Sequence, residues 1–263
     1  MIDLDGGSVE TWVAAGGGGV APLVFLHEGL GSVGLWRDVP ARVHAATGSR
    51  LTLAYSRHGY GRSAPAPLPR PVTYMHQEAD AVLPRLLARL GIACPLLVGH
   101  SDGASIALLY AGAGNPVSGL VLIAPHVFVE DVSIKAIEAA RISFETTDLR
   151  ERMARHHDDA DATFRGWNEA WLDPAFRAWN IEDRLGVIDC PVLLVQGDVD
   201  PYGTTAQLDA IEAGVTGPTR RVLLPGVGHA PHLERADTTI EAIARFVADV
   251  DRRRRSAASR REG

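Results

Sequence analysis

The pentapeptide Gly-His-Ser-Asp-Gly at 99–103 leaves this chain few possible folds. It follows the short apolar run 95–98 and precedes a helical pattern of apolar residues from Ala104 to Tyr110. A strand, a G-x-S-x-G turn and a helix in this order place a serine on a strained turn, which needs small neighbours because backbones come close together there. The pentapeptide alone arises by chance in roughly one chain in ten. The flanking strand and helix therefore carry the prediction that Ser101 is a nucleophile.

Two pairs of residues later in the chain are candidates for the acid and the base that a serine nucleophile requires. A serine hydroxyl needs a histidine base, and that imidazole needs a carboxylate to orient it. Asp198 and Asp200 follow one predicted strand, and His229 and His232 follow the next. Serine, acid and histidine thus occur in the order expected for this kind of turn, just past strand ends, where open α/β sheets build their sites.

The loop His-Glu-Gly-Leu-Gly-Ser at 27–32 follows the predicted strand that ends at Leu26. Its glycines permit a tight turn with an N–H pointing inward. Such an N–H, together with the amide of Asp102, would stabilise the oxyanion that forms when a serine attacks a carbonyl. We therefore expect an oxyanion hole between this loop and the residue after Ser101.

Short apolar runs alternate with helical patterns along most of the 263 residues, which predicts an α/β fold with a mostly parallel central sheet flanked by helices. Apolar residues make up 46% of the chain, enough for the core of one large α/β domain with an insertion. The predicted strands are 11–15, 22–26, 51–55, 95–98, 119–123, 191–195 and 220–224, and the predicted helices are 35–46, 74–90, 104–113 and 238–250.

The alternation stops between about 128 and 189. This interval is richer in charge and has three tryptophans and four phenylalanines without any strand-like run. It predicts an inserted helical subdomain, whose aromatic residues either pack internally or roof a pocket at the strand ends.

Five motifs in order give the chain a resemblance to α/β-hydrolase fold proteins, in the large group of cofactor-free esterases and related enzymes. They are the loop at 27–32, the turn Ser-Arg-His-Gly-Tyr-Gly-Arg-Ser at 56–63, the pentapeptide at 99–103, the loop Gln-Gly-Asp-Val-Asp at 196–200 and the loop Gly-His-Ala-Pro-His at 228–232. The resemblance covers nearly the whole chain. It implies a hydrolase core at 1–127 and 190–251 and a helical cap at 128–189.

The resemblance also implies roles for individual residues. Ser101 would be the nucleophile, His229 the base and Asp200 the orienting acid. The amides of Gly29 and Asp102 would be the oxyanion donors. The fold hosts many chemistries, so the resemblance specifies the reaction much less than the fold.

Alternatives remain at several of these positions. Asp198 is the rival acid, but the family's usual G-x-x-D spacing from the preceding glycine favours Asp200. His232 is the rival base, although its place at the start of the last helix fits a pocket rim or a helix cap better. His126, just past a predicted strand, is a further candidate for the pocket, whereas His100 fits packing better than catalysis.

The chain departs from the family pattern at Glu28, where glycine is most frequent, and at Asp102, where methionine, leucine or glutamine is commoner. A carboxylate about 4 Å from an oxyanion would raise the barrier by about 4 kcal/mol at an effective dielectric of 20. We therefore expect the side chain of Glu28 to turn away from Ser101 and to pair with Arg57 or Arg62. In the competing interpretation, burial keeps Glu28 protonated and it donates a hydrogen bond to the substrate.

The leading functional hypothesis is a serine hydrolase that cleaves an ester or lactone of a small organic substrate through an acyl-enzyme. One alternative is a cofactor-free C–C bond hydrolase or lyase on the same fold. An alternative of another class is a small-molecule receptor that retains the triad. The sequence has no phosphate-loop spacing and no dinucleotide fingerprint after a strand, so we expect no cofactor.

The charge distribution argues against a nucleic-acid partner. The chain carries a formal charge of −6, and residues 1–251 carry about −11, with 20 basic and 31 acidic side chains. Arginines are concentrated in the tail 252–263, which we expect to be disordered. No apolar run is long enough to cross a membrane, and the first ten residues do not resemble a signal peptide, which predicts a cytoplasmic protein without a membrane partner.

Metal and disulfide sites are not predicted. Cys94 and Cys190 are too few for a disulfide framework, and the family's sheet order separates their strands by another strand, so we expect free thiols. The cluster His-His-Asp-Asp at 156–159 fits an exposed helix end better than a metal site.

Overall fold

The computed structural model of the chain describes the fold of residues 1–259. Its strands are β1 (Ile2–Leu4), β2 (Gly7–Val9), β3 (Thr11–Ala14), β4 (Leu23–Leu26), β5 (Thr52–Tyr55), β6 (Leu96–His100), β7 (Gly119–Ile123), β8 (Val192–Gly197) and β9 (Thr219–Leu224). β1 and β2 pair with each other. The other seven form one sheet in the order β3-β5-β4-β6-β7-β8-β9, in which β3 pairs antiparallel with β5 and every other neighbouring pair is parallel. The predicted fold class is confirmed.

Ten α-helices are present among the described residues, and most of them connect or flank the strands. They are α1 (Val39–Ala46), α2 (Tyr74–Gln77), α3 (Leu83–Arg89), α4 (Asp102–Gly112), α5 (Asp131–Thr146), α6 (Leu149–Ala154), α7 (Ala160–Leu172), α8 (Ala206–Gly214), α9 (Pro231–Glu234) and α10 (Ala236–Ser259). A π-helical turn at Glu78–Val82 joins α2 to α3.

Both faces of the sheet are covered, which explains why the central strands are continuous apolar runs. Successive side chains of a strand point to opposite faces. In β4, Leu23 and Phe25 pack with α1 and α10, whereas Val24 and Leu26 pack on the other face with α3 and α4. The sheet is therefore the middle layer of three, with a core on each side.

Parallel pairing brings the carboxyl ends of six strands to one edge of the sheet. The loop at 27–32 follows β4, Ser101 follows β6, Asp200 follows β8 and His229 follows β9. The topology thus gathers at one edge residues that are far apart in sequence.

The segment 128–189 connects β7 to β8 and contains α5, α6, α7 and two short 3₁₀-helices, Pro174–Ala178 and Glu182–Val187. A single bridge between Phe128 and Asn180 joins its two ends beside the sheet. Its aromatic residues pack together, with Phe144 stacked on Phe164 at 3.9 Å between ring centroids. We refer to this part of the chain as the helical segment.

The arginine-rich end differs from the sequence expectation. α10 continues through the arginines to Ser259, so the prediction of a disordered tail is wrong for 252–259, and residues 260–263 lie outside the described part. Arginine and alanine are good helix formers. Ion pairing of Arg252 with Asp249 one turn earlier, and a contact of Arg254 with Ser118 beside β7, anchor this last part of the helix.

Candidate active site

Ser101 occupies the sharp turn between β6 and α4. Its backbone has φ 52° and ψ −118°, a conformation that non-glycine residues rarely adopt. A Cβ on Gly99 would lie 2.4 Å from the carbonyl oxygen of Gly103, and a Cβ on Gly103 would lie 2.0 Å from that of Leu26. Both flanking glycines are therefore required by close backbone approach, as the sequence motif predicts.

His229 and Asp200 form a hydrogen-bonded pair just past the ends of β9 and β8. Nδ1 of His229 lies 2.8 Å and 2.9 Å from the two carboxylate oxygens of Asp200, whose side chain is only 2% exposed. Burial alone would raise the pKa of Asp200, but the hydrogen bond and charge of His229, helped by the amide of Tyr202, hold that pKa below its usual value. Asp200 is thus ionised and fixes the proton of His229 on Nδ1.

The rival acid and base have other contacts. Oδ1 of Asp198 accepts a hydrogen bond from the amide of Gly226 at 2.7 Å, which braces the loop after β9. His232 is buried against Trp36 and against His100, at 4.8 Å and 4.5 Å between ring centroids. His232 is not among the residues that line the cavity described below, so the expectation that it lines the pocket is wrong.

Ser101 and His229 border one cavity of about 230 Å³ beneath the helical segment. Within the described residues no hydrogen bond joins Ser101 Oγ to His229, a looseness that is common for nucleophile and base without a bound substrate. The wall is mostly apolar and aromatic. It consists of Glu28, Gly29, Leu30, His100, Ser101, His126, Ser133, Ile137, Trp167, Trp171, Tyr202, His229 and Ala230.

The two amides expected to form the oxyanion hole are both available. Within residues 1–259, neither the Gly29 nor the Asp102 N–H donates a hydrogen bond to another protein group. A Cβ on Gly29 would lie 2.1 Å from Nε1 of Trp167. The glycine is therefore needed because an indole of the helical segment packs directly on the oxyanion loop.

Glu28 lines the cavity, and its expected pairing with Arg57 or Arg62 is wrong. Its carboxylate lies 3.4 Å from Nδ1 of His100. Arg57 instead donates to the main-chain oxygen of Glu28 at 2.8 Å and lies 3.6 Å from the buried carboxylate of Asp102, which attracts its charge. Arg62 is half-exposed and pairs with Asp158 on the surface.

Asp102 has a buried polar network that sequence reasoning missed. Its carboxylate accepts a hydrogen bond from the hydroxyl of Tyr74 at 2.6 Å and from Nε1 of Trp171 at 3.3 Å. Burial, and then the charge of Asp102, raise the pKa of Tyr74 well above its usual value, so the phenol keeps its proton and remains a donor. The unusual aspartate after the nucleophile is the sequence signal that could have pointed to such partners.

His126 lies in the cavity wall, where the sequence suggested it. Its Nε2 donates to the main-chain oxygen of Tyr202 at 3.0 Å. Burial lowers its pKa, so the ring is neutral and its Nδ1 is an acceptor. No buried group among the described residues satisfies Nδ1. Trp167, Trp171 and Tyr202 complete this wall. The two tryptophans belong to the aromatic residues that the sequence left as either internal packing or a pocket roof, whereas Tyr202 was not identified from the sequence.

The cluster at 156–159 is part of the packing between the helical segment and the turn at 56–63. Nδ1 of His157 accepts a hydrogen bond from the amide of Gly61 at 2.9 Å, and Nε2 donates to the main-chain oxygen of Leu30 at 3.0 Å. Among residues 1–259, no group of three or more His, Cys, Asp or Glu side chains is arranged to hold a metal ion. In the same part of the chain, none of the helices combines the length and apolar character needed to cross a membrane.

Comparisons with known proteins agree with this architecture. The family model described as alpha/beta hydrolase family matches residues 23–242. Human serine hydrolase BPHL is 28% identical over 200 residues, which are 70% of this chain and 65% of that protein, so the chain matches slightly less than two thirds of this relative.

Two solved structures with the same fold have different activities in their names. An enol-lactonase from Burkholderia xenovorans superposes with a TM-score of 0.71 at 21% identity, covering 93% of this chain and 98% of that one. Proline iminopeptidase from Mycobacterium smegmatis superposes with a TM-score of 0.71 at 18% identity, covering 93% of this chain and 96% of that one. Because the family model spans most of the chain and the fold agrees with it, the chain belongs to the alpha/beta hydrolase family.

Proposed function

We propose that the chain is a serine hydrolase that cleaves an ester or lactone of a small organic acid through an acyl-enzyme on Ser101. The observation that carries the proposal is the strained turn of Ser101 on the same cavity as the His229–Asp200 pair. A family relative named as a serine hydrolase and a structural neighbour named as a lactonase support it.

The proposed reaction uses the protonation states of these residues. Because Asp200 holds the proton of His229 on Nδ1, Nε2 is free to accept the proton of Ser101 as Oγ attacks the substrate carbonyl. The amides of Gly29 and Asp102 stabilise the oxyanion. His229 then gives the proton to the leaving alcohol, and the ester bond breaks. A water, deprotonated by His229, releases the acid and regenerates Ser101.

The helical segment acts in this proposal as a cap that selects the acyl group. Trp167, Trp171 and Ile137 come from this segment and form the apolar roof of the cavity. About 230 Å³ of space restricts the bound acyl group to a small one. Substrates with short acyl chains or compact rings are therefore the favoured class.

The test is a turnover assay with p-nitrophenyl esters of increasing acyl length, a set of lactones, aminoacyl amides and substrates for C–C bond cleavage. We expect ester or lactone turnover that declines as the acyl chain outgrows the cavity. Mass spectrometry after a fluorophosphonate probe is expected to locate the label on Ser101. Faster turnover of the amides or of the C–C substrates would contradict the proposed substrate class.

The matched variants are Ser101→Ala and Ser143→Ala, the second on α5 and outside the cavity wall. We expect Ser101→Ala to lose about 10⁴-fold or more in kcat/KM and to keep its melting temperature, since only the nucleophile is removed. Ser143→Ala is expected to retain parent activity. Ser101→Ala activity within tenfold of the parent would show that another residue is the nucleophile.

A further inference from the structure

His100 lies between the two loops on which the proposed reaction depends. It is the last residue of β6, directly before Ser101, and its side chain is 4% exposed. Its Nε2 lies 2.8 Å from the main-chain oxygen of His229, and its Nδ1 lies 3.4 Å from Oε2 of Glu28. One imidazole therefore bridges the loop that carries the base and the loop at 27–32 that carries the Gly29 amide.

These two contacts determine where the protons must be. A carbonyl oxygen only accepts, so Nε2 of His100 carries a hydrogen and donates it to His229. In a neutral ring, Nδ1 would then carry a lone pair that faces the lone pairs of the Glu28 carboxylate. The contact with Glu28 is attractive only when a proton lies between Nδ1 and Oε2.

The surroundings favour that proton on His100. Burial alone would raise the pKa of Glu28, but the hydrogen bond and charge of His100 hold that pKa well below its usual range. The side chain of Glu28 is also 27% exposed toward the cavity, which keeps the carboxylate partly solvated. An ionised carboxylate beside a ring that already donates from Nε2 implies an imidazolium.

We propose that His100 and Glu28 form an imidazolium–carboxylate pair that positions the oxyanion loop against the loop of His229. The inference rests on the proposed function, because it concerns the geometry of the same site. His100 is a positioning residue here: it reaches the reacting atoms through the main chain of His229 and through the loop of Gly29.

Three neighbouring histidines of the pair have pKa values below their usual range. Burial, followed by the charge of Arg57, holds the pKa of His27 well below its usual value, and burial followed by the charge of His100 does the same for His232. Burial also lowers the pKa of His157. Near neutral pH these rings are uncharged. The titratable groups near the pair are His27 in the oxyanion loop, Arg57 after β5, His157 in the helical segment, and His229 and His232 after β9.

Loss of the shared proton has a defined consequence. Without that proton, the lone pair of Nδ1 would face the Glu28 carboxylate, and the attraction between the two loops would become repulsion. In Glu28→Gln, the amide N–H of glutamine donates to a neutral His100, so the two loops remain joined without any shared proton.

The experiment compares kcat of Glu28→Gln and Glu28→Ala with that of the parent chain at neutral pH. Glu169→Gln is the matched control, since it removes an exposed carboxylate that pairs with Arg165 on α7. We expect Glu28→Gln to lose less in kcat than Glu28→Ala, because the glutamine amide keeps a hydrogen bond between the two loops. Glu28→Ala is expected to lose about ten- to hundredfold in kcat, as for a missing charge-assisted hydrogen bond. The control is expected to keep the parent kcat.

Nitrogen NMR of the histidine rings at neutral pH supplies a readout that does not need activity. The resonances of His100, assigned by their loss in His100→Asn, are expected to be those of an imidazolium in the parent and of a neutral Nε2–H ring in Glu28→Gln. A neutral His100 in the parent, or a loss in kcat for Glu28→Gln as large as that for Glu28→Ala, would overturn the proposal. If the parent hydrolyses none of the substrates, the proposed function fails, and the NMR result still decides the pair.

Discussion

Nε1 of Trp171 lies 3.3 Å from Oδ1 of Asp102 and 2.9 Å from the hydroxyl of Tyr74. A tryptophan of the helical segment thus donates to the residue that follows Ser101 and whose amide faces the proposed oxyanion. All three side chains are buried. The position of the helical segment and the position of the nucleophile turn are therefore linked by hydrogen bonds as well as by apolar packing.

This link predicts different results for two tryptophans of the helical segment. Trp171→Phe removes a donor to a buried carboxylate and is expected to lower the free energy of unfolding by about 1.5–3 kcal/mol. Trp179→Phe removes an N–H that is buried without a partner among the described residues, so it is expected to cost less. Urea unfolding of both variants measures the difference. An equal loss in the two would mean that the hydrogen bonds of Trp171 contribute nothing.

The structure favours one histidine and one aspartate in the two candidate pairs, so variants of the four residues are expected to differ in activity. His229→Ala is expected to lose about 10⁴-fold or more in kcat/KM, and Asp200→Asn about 10³- to 10⁴-fold, because the base loses its orientation. His232→Ala and Asp198→Asn are expected to stay within about tenfold, since asparagine can still accept from the amide of Gly226. Initial rates of the four variants decide the assignment, and a reversed order within either pair would show that the other member is catalytic.

Gly29 predicts a steric effect on activity. Gly29→Ala places a Cβ about where Nε1 of Trp167 lies, so either the oxyanion loop or the indole has to move, and overpacking of this kind typically costs about 1–3 kcal/mol. We expect kcat to fall, and the double variant with Trp167→Leu to recover part of it. Gly17→Ala is the control, because nothing lies within 4 Å of its added Cβ. A fully active Gly29→Ala would show that the loop has room that the structure does not indicate.

The two thiols predict unequal reactivity. Both cysteines are free in the described part of the chain. Burial, and then the charge of Asp189, raise the pKa of Cys190 to about 12, so this thiol stays protonated at any moderate pH and is a poor nucleophile. With a thiol reagent at about pH 8, we expect half-buried Cys94 to react quickly and Cys190 only after denaturation. Finding fewer than two thiols in the denatured, unreduced protein would reveal an unexpected disulfide.

The central strands β4 to β8 were predictable because burial on both faces makes each one a short apolar run. The bounds of all seven predicted strands differ from the observed ones by two residues at most, whereas the short strands β1 and β2 were not predicted. The helix expected at 74–90 is less regular. Pro84 has no N–H to donate to residue 80, and a π-helical turn at Glu78–Val82 precedes it. Apolar periodicity does not reveal such a change of helix type.

In the site, the residues at strand ends could be predicted from the sequence, whereas hydrogen-bond partners that come from distant parts of the chain could not. Ser101, Asp200 and His229 follow from the rule that parallel strands gather their carboxyl ends at one edge. The partner of Glu28 could not be predicted, because it depends on the fold around His100. Nε2 of His100 contacts the loop after β9, which leaves Nδ1 to face Glu28. The network of Asp102 was missed for the same reason. Tyr74 precedes Asp102 by 28 residues and Trp171 follows it by 69, and only the fold brings the three side chains together.

The backbone of Ser101, with φ at 52°, has a consequence for the balance between heat resistance and turnover. Holding a residue with a Cβ in such a conformation costs about 1–3 kcal/mol, which glycine would largely avoid. Ser101→Gly is thus expected to melt at a higher temperature than the active chain. Thermostability and turnover favour different residues at position 101, so a selection for thermal survival alone would discard the nucleophile.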